Sequence, residues 1–247
     1  MSFTVSAIKI IFLLGFLIFI HEGGHFVVAK LCKVKVNQFA IGFGPKIWER
    51  KGKETLYALR LIPLGGYVSM EGETEESKDE RAFNKAPIYK RILIVLAGAS
   101  VNIVFGLILY LILATVVLGD FLQAILAMKT FLVALLESIK MLFTGQVSVN
   151  DLTGPVGISS LVSKTTGIKE YVYMISMISV SLGITNLLPI PALDGGKIVL
   201  LIIEAIRKKP LKEDTEISLQ LLGFGMLIAL SILVTYNDIA RILGGIV

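Results

Sequence analysis

The stretch "IIFLLGFLIFIHEGGH" (Ile10–His25) places two histidines and a glutamate directly after a long apolar run. An ionisable side chain at the centre of a membrane helix costs roughly 2.5–3.5 kcal/mol by insertion assays, so it needs a compensating partner there. The remaining sequence must therefore supply a partner for His21, Glu22 and His25.

The composition predicts that lipid is the solvent for most of this chain. Of its 247 residues, 55% are hydrophobic and 17% are charged, and the mean hydropathy is +0.80. Because long apolar stretches recur, we expect one α-helical polytopic domain, embedded in a bilayer and covering residues 1–247. The net charge of +5 is modest and suggests no nucleic-acid partner. The single cysteine, Cys32, cannot form an internal disulfide.

Four stretches are long enough, or nearly so, to cross a bilayer at about 1.5 Å per residue. Only Lys9 precedes the first apolar core, and HEGGH follows it where a signal peptide would have a small-residue cleavage site, so we expect a retained span. The predicted spans are residues 4–31, 92–118, 171–188 and 217–234.

The positive charges predict the orientation of these spans. Residues 30–91 hold thirteen Lys and Arg, residues 92–185 hold four, and residues 186–216 hold five. Loops rich in Lys and Arg favour the cytoplasmic side. Both termini are therefore expected outside, with HEGGH toward the cytoplasmic side of the membrane.

The largely apolar segment Phe121–Phe143 could be a fifth span, but the parity of the spans argues against it. If it crossed the membrane, the end of the third span and the Lys208–Lys209 pair would lie opposite HEGGH. Lys129, Glu137 and Lys140 also interrupt it. We therefore expect amphipathic helices on the outer face over residues 121–169.

HEGGH has the spacing of a metal site. Histidines at positions i and i+4 of a helix point to nearly the same side. Two such imidazoles can bind one Zn²⁺, and the adjacent Glu22 is placed to activate a water molecule. His21 and His25 are the only histidines in the chain, so a third ligand must be another residue type.

Asp194 is the best remaining candidate for the third ligand. It lies in "NLLPIPALDGG" (Asn186–Gly196), at the cytoplasmic end of the predicted third span. Pro189 and Pro191 cannot continue a helix, and the two glycines after Asp194 allow close backbone approach. Irregular backbone at membrane depth is tolerated where it is buried or lines a cavity, so the carboxylate could reach the zinc.

HEGGH together with "NLLPIPALDGG" resembles the site-2 protease family of intramembrane zinc metalloproteases, closest to the bacterial regulator of sigma-E protease branch. Further stretches match in family order over most of the chain: "GFGPKIW" (Gly42–Trp48), "LIPLGGYVSM" (Leu61–Met70), "AGASVN" (Ala97–Asn102) and "LTGPVGI" (Leu152–Ile158).

The resemblance implies a role for each site residue. His21, His25 and Asp194 would bind Zn²⁺, and Glu22 would be the general base. Residues 54–70 would form the family's membrane-reentrant β-hairpin, to whose edge an extended substrate could pair. The residues implied in substrate binding are Asn186, Asn102, Gly65, Gly66 and Tyr67. The substrates would be single-span membrane proteins, such as anti-sigma factors or remnant signal peptides.

Two features depart from the family's pattern. Ala99 stands where the family commonly has proline, and we expect a small local effect. Close relatives also carry PDZ domains on the outer side, whereas Gly119–Asp120 leads almost directly into Phe121 and leaves no room for one.

Other functional classes remain open at this stage. A metal-ion transporter would share intramembrane His and Asp residues, but the second and fourth spans offer almost no ionisable relay. A non-cleaving relative would bind membrane spans, although Glu22 is intact. A hydrolase of small amides would not need a hairpin edge.

Overall fold

The computed structural model describes residues 3–146 and 152–243, which are mainly helical. The elements in chain order are α1 (Phe3–Leu31), β1 (Val36–Lys51), β2 (Leu56–Met70), a short 3₁₀ turn (Phe83–Lys85), α2 (Ile88–Leu118), α3 (Phe121–Phe143), α4 (Pro155–Lys164), α5 (Ile168–Asn186), α6 (Asp194–Arg207) and α7 (Glu213–Leu243).

Four helices of the described residues are long and apolar enough to cross a membrane: Ala7–Leu31, Ile88–Leu118, Phe121–Met141 and Asp214–Leu243. The prediction of an α-helical polytopic membrane protein is confirmed. Three of the four helices coincide with predicted spans.

The remaining candidate helix differs from the sequence interpretation. The segment predicted as the third span forms α5, but α5 is not among the four, because Lys169 and Glu170 lie in its first turn and hydroxyl side chains follow. Helix α3 qualifies instead, in spite of its charged residues. Of the predicted outer-face segment 121–169, residues 147–151 lie outside the described residues.

The predicted hairpin is longer than residues 54–70. That segment forms β2, and its antiparallel partner β1 was not predicted as a strand. The second half of β2 pairs with the first half of β1, from Val36 opposite Met70 to Ile41 opposite Gly66. The first half of β2, residues 56–62, pairs with residues 38–51 of β1. The far end of the sheet exposes large apolar side chains, which suits insertion into lipid: Phe43, Ile47, Trp48, Leu61 and Ile62.

Contacts divide the chain into two compact units, which are described separately. The unit made of residues 11–104 and 179–224 holds the sheet and a buried apolar cluster. This cluster packs the end of α1 against both strands, the start of α2 and helix α6: Ala29, Val34, Val36, Val68, Met70, Phe83, Ile94, Val95 and Leu201.

The second unit comprises residues 1–10, 105–178 and 225–247, and it contains the "LTGPVGI" motif. Asp238 of α7 is 2% exposed, and its Oδ2 accepts hydrogen bonds from the backbone N–H groups of Gly154 (3.0 Å) and Gly157 (2.7 Å). These donors begin α4 and would otherwise be unsatisfied. Arg241 of α7 donates to Asp238 and to the Leu152 carbonyl. The motif therefore forms the beginning of α4, and its hydrogen bonds connect it to α7.

Helix α2 packs closely on α1 through small residues. A Cβ added to Gly24 would lie 2.7 Å from the Ala97 carbonyl oxygen, whereas one added to Gly23 would meet nothing within 4 Å. Ala99, at the position where the family commonly has proline, is fully buried within α2. The approach of the two helices at Gly24 fixes the position of the HEGGH turn.

We expect Gly24→Ala to destabilise the protein by about 1–3 kcal/mol, because the methyl group overpacks the contact with α2. Gly23→Ala is the matched control; it should be neutral or stabilising by up to about 1 kcal/mol, because alanine favours a helix. Thermal unfolding in detergent micelles measures both. Equal unfolding temperatures for the two variants would contradict the close contact.

Candidate metal centre

Three potential ligand atoms converge on one point. The Nε2 atoms of His21 and His25 are 3.2 Å apart. Asp194 Oδ2 lies 3.2 Å from the first and 3.4 Å from the second. Both histidines are 9% exposed. The structure therefore brings together the three residues that the sequence predicts as metal ligands.

The backbone of α2 determines the tautomer of His25. Its Nδ1 lies 2.8 Å from the Ile94 carbonyl oxygen, which can only accept a hydrogen bond. Nδ1 therefore carries the proton, and Nε2 presents a lone pair to the centre. Metal-binding histidines usually have such a partner on their other nitrogen, which orients the ring.

Asn102 occupies the corresponding position behind His21. Its side-chain amide lies 3.4 Å from His21 Nδ1, it is fully buried, and its other amide atom has no partner. The two ends of an amide interchange by rotation, so the oxygen can accept the Nδ1 proton. His21 Nε2 then presents a lone pair as well.

The three atoms fit a zinc ion. Neighbouring ligand atoms of a tetrahedral zinc ion lie about 3.3–3.6 Å apart when its bonds are about 2.0–2.2 Å long, close to the separations found here. Asp194 Oδ2 is buried with no hydrogen-bond partner. A proton on one nitrogen would satisfy one of the three contacts, whereas a cation satisfies all three. Three protein ligands also leave the fourth position free, as in catalytic zinc sites.

Asp194 reaches this point through a tightly wrapped turn. Helix α5 ends at Asn186, and Asp194 is the first residue of α6, a helix that the sequence interpretation did not include. A Cβ on Gly195 would lie 2.3 Å from the carbonyl oxygens of Leu187 and Leu188. The close backbone approach predicted for the glycine pair is therefore present.

A cavity of about 290 Å³ opens beside the three ligands. Glu22 lines it, as expected for a base, and a Cβ on Gly66 would lie 3.0 Å from Glu22 Cγ. Of the predicted substrate-binding residues, Gly66, Tyr67 and Asn186 line the cavity. Gly65 and Asn102 are not part of its lining, and Asn102 lies behind His21 instead.

One edge of the sheet faces this cavity. The Glu71 N–H donates to Lys35 next to β1, so the N–H of the preceding residue, Met70, points the other way. By the same alternation, Gly66 and Val68 direct their backbone groups away from β1. Both residues line the cavity, which therefore has next to Glu22 a strand edge that no other described strand pairs with.

Two charged residues of the cavity lining were missed from the sequence, Glu73 and Lys197. Lys197 follows Asp194 by three positions on α6, a spacing that would have placed it on the same side of a helix had α6 been predicted. Glu73 lies in the charged loop that was read as solvated and without chemistry. No signal in the sequence pairs these two residues.

Comparisons with known proteins agree with this centre. The family model described as "Peptidase family M50" matches residues 9–230. A candidate zinc metalloprotease of Clostridium acetobutylicum is 31% identical, over 97% of this chain and 98% of the relative. The regulator of sigma-W protease RasP of Bacillus subtilis is 24% identical, over 97% of this chain and 99% of the relative.

A His–His–Asp centre beside a glutamate, in a protein with spanning helices, defines a membrane-embedded zinc metalloprotease. The chain belongs to peptidase family M50, the site-2 proteases. It is an intramembrane zinc metalloprotease of a bacterial inner membrane.

Asn102→Leu should weaken zinc binding by about 10–100-fold, because His21 loses the acceptor that orients its ring. Asn102→Asp keeps an acceptor and should bind zinc as the wild type does. Ser179→Ala is the matched control, since its hydroxyl donates to the backbone carbonyl of Asn102, not to its side chain, in the same buried region. Competition with a metal chelator measures the affinities, and wild-type affinity in Asn102→Leu would refute this role.

Proposed function

We propose that this protease hydrolyses peptide bonds within or near the transmembrane segment of single-span membrane proteins. The observation that carries the proposal is the unpaired edge of β2 beside Glu22 and the three convergent ligands. An extended peptide is the substrate that such an edge accommodates, because it can add to the sheet as a further strand.

The proposal gives the site residues distinct roles. His21, His25 and Asp194 would hold the zinc ion, which would lower the pKa of a bound water and polarise the scissile carbonyl. Glu22 takes the proton of the attacking water and passes it to the leaving amine. Glu22 is free for this role, because it is not one of the three convergent groups.

Asn186 is the candidate donor for the oxyanion. It lines the cavity, and its amide nitrogen donates to the Leu182 carbonyl at 3.0 Å. A second amide hydrogen remains for the developing negative charge, and loss of such a donor typically costs about 2.7–4 kcal/mol in the transition state.

A substrate helix must unwind before it can react, because its own hydrogen bonds shield its peptide groups. The backbone groups of Gly66 and Val68 offer replacement partners for the unwound segment. Gly66 also leaves room for the approach, since it has no side chain between Ala40 and Glu22. The sheet edge would thus hold an extended segment at the height of the catalytic groups.

The distribution of positive charges supports the proposed orientation. Residues 30–91 hold thirteen Lys and Arg and residues 186–216 hold five, against four in residues 92–185. Loops rich in Lys and Arg favour the cytoplasmic side, so the proposed arrangement has both termini outside and the site toward the cytoplasm.

The proposed substrates are anti-sigma factors and remnant signal peptides. The name of the Bacillus relative connects it with sigma-W regulation. The alignment with the Clostridium relative has 334 positions, so roughly 90 have no counterpart in this chain, about the size of a small domain. Both proteins are covered almost end to end, so this extra length is internal. We propose that it corresponds to the PDZ domain absent here.

Glu22→Gln should lower cleavage of a doubly tagged single-span substrate by about 100-fold or more, because the general base is lost. Zinc content should be unchanged, since Glu22 is not a ligand. His21→Ala is the matched control and should lose both zinc and cleavage. The assay is gel analysis of purified protein in detergent with metal analysis. Full activity in Glu22→Gln would exclude this base.

The family resemblance implies that the PDZ domain of relatives screens substrates by the bulk of their outer part. A chain without this domain should therefore accept substrates with bulky outer parts. Fusing a folded domain to the outer end of the test substrate should change the cleavage rate by less than about twofold, since no contact at the metal centre is altered. A PDZ-containing relative, assayed in parallel, should cleave the fusion much more slowly. Equal inhibition of both enzymes would contradict the hypothesis.

A further inference from the structure

An ion pair closes one end of the metal-centre cavity. Lys197 Nζ on α6 donates to Glu73 Oε1 at 2.6 Å, and both side chains are about four-fifths buried. Both residues line the cavity together with the zinc ligands. No role in the hydrolysis described above uses either of them.

Glu73 holds the end of the strand edge. Its second carboxylate oxygen accepts the N–H of Met70 at 3.2 Å. This N–H points away from β1, on the same side as the free backbone groups of Gly66 and Val68. Glu73 therefore occupies the next position along the edge to which a substrate would pair.

Lys197 connects this edge to the metal centre. It follows Asp194 by one helical turn, so its position moves with the zinc-binding carboxylate. Its ammonium also lies 5.0 Å from the centre of the buried Phe83 ring, which restricts where it can go. The chain of contacts runs from Met70 through Glu73 and Lys197 to the first turn of α6.

Stability alone does not account for an ion pair in this place. Removing two charges from water is costly, and well-packed apolar residues usually serve stability at least as well as a buried pair. A charged pair has direction and a defined length, which suits it to holding two elements at one separation.

We propose that the Glu73–Lys197 pair is a positioning clamp that holds the β2 edge at a fixed distance from Asp194. An edge-paired substrate then presents one particular bond to the metal centre. This inference rests on the proposed function, since it takes the edge of β2 as the substrate-binding strand.

Two single variants and their combination test the clamp. Lys197→Met removes the ammonium at similar length, and Glu73→Gln removes the charge while keeping an acceptor for the Met70 N–H. Each should lower kcat about tenfold with KM changed less than about threefold, because misplacement of the scissile bond slows the chemical step. Mass spectrometry of the products should show cleavage at neighbouring bonds as well.

The Lys197→Met/Glu73→Gln double variant and the conservative variant Lys197→Arg show whether the two residues act as a pair or independently. The double variant should be no slower than the slower single variant, because coupled residues are not additive. Lys197→Arg should restore kcat and the single cleaved bond.

The Arg91–Glu204 pair provides a matched control. It is equally short at 2.7 Å, it is buried, and it also involves α6. Arg91 lies beside the same Phe83 ring, but neither residue lines the metal-centre cavity. Arg91→Met combined with Glu204→Gln should lower the unfolding temperature, keep kcat within about twofold and leave the cleaved bond unchanged.

Cobalt substitution gives a readout that needs no substrate. The visible absorption of Co²⁺-loaded Lys197→Met should differ from that of the wild type, because Asp194 shifts, whereas the Arg91/Glu204 control should match the wild type. If wild-type protein cleaves nothing, the proposed function fails and this spectrum alone decides on the clamp. Wild-type kcat, bond choice and spectrum in Lys197→Met, or the same changes in the control, would overturn the proposal.

Discussion

Three electron-rich atoms lie close together in the interior of this protein, and the surrounding elements are arranged to hold them there. Two imidazole nitrogens and a carboxylate oxygen lie within 4.8 Å of one another. In a poorly solvated place they repel unless a cation lies between them. The backbone of α2, the amide of Asn102 and the turn before α6 all hold these groups in their positions.

The centre is assembled from elements that are far apart in the chain, and small residues make this possible. The HEGGH turn approaches α2 at Gly24, and the DGG turn folds onto the end of α5 at Gly195. A side chain at either position would separate the elements by the width of a methyl group. In the proposed function the edge of β2 completes the site, because it would bind an extended chain beside the catalytic groups.

Much of the site could be predicted from the sequence. The i, i+4 spacing gave His21 and His25, and Asp194 followed as the one suitable carboxylate at the same depth. The length of the apolar stretches predicted three of the four candidate spans. The fourth assignment differed because α5 carries Lys169, Glu170 and several hydroxyl groups, while the charges of α3 are spread over a long apolar helix. Apolar content alone does not decide which of α3 and α5 crosses the membrane.

Other features could not be predicted, because they arise from tertiary contacts. Strand β1 was missed, since its pairing with β2 connects residues up to 34 positions apart. Asn102 was expected near the substrate, and only the packing of α2 on α1 places it behind His21. The Glu73–Lys197 pair joins residues separated by 124 positions, and no local sequence pattern predicts it.

The apolar end of the sheet has a consequence for how the enzyme depends on its surroundings. Phe43, Ile47, Leu61 and Ile62 expose large apolar surfaces at one end of the sheet, where Lys46 and Arg60 are also paired. If this end inserts into lipid as proposed, the sheet would take its depth from the hydrocarbon region of the bilayer. Because the proposed substrate-binding edge belongs to the same sheet, the lipid composition of the membrane would become one of the determinants of catalytic geometry.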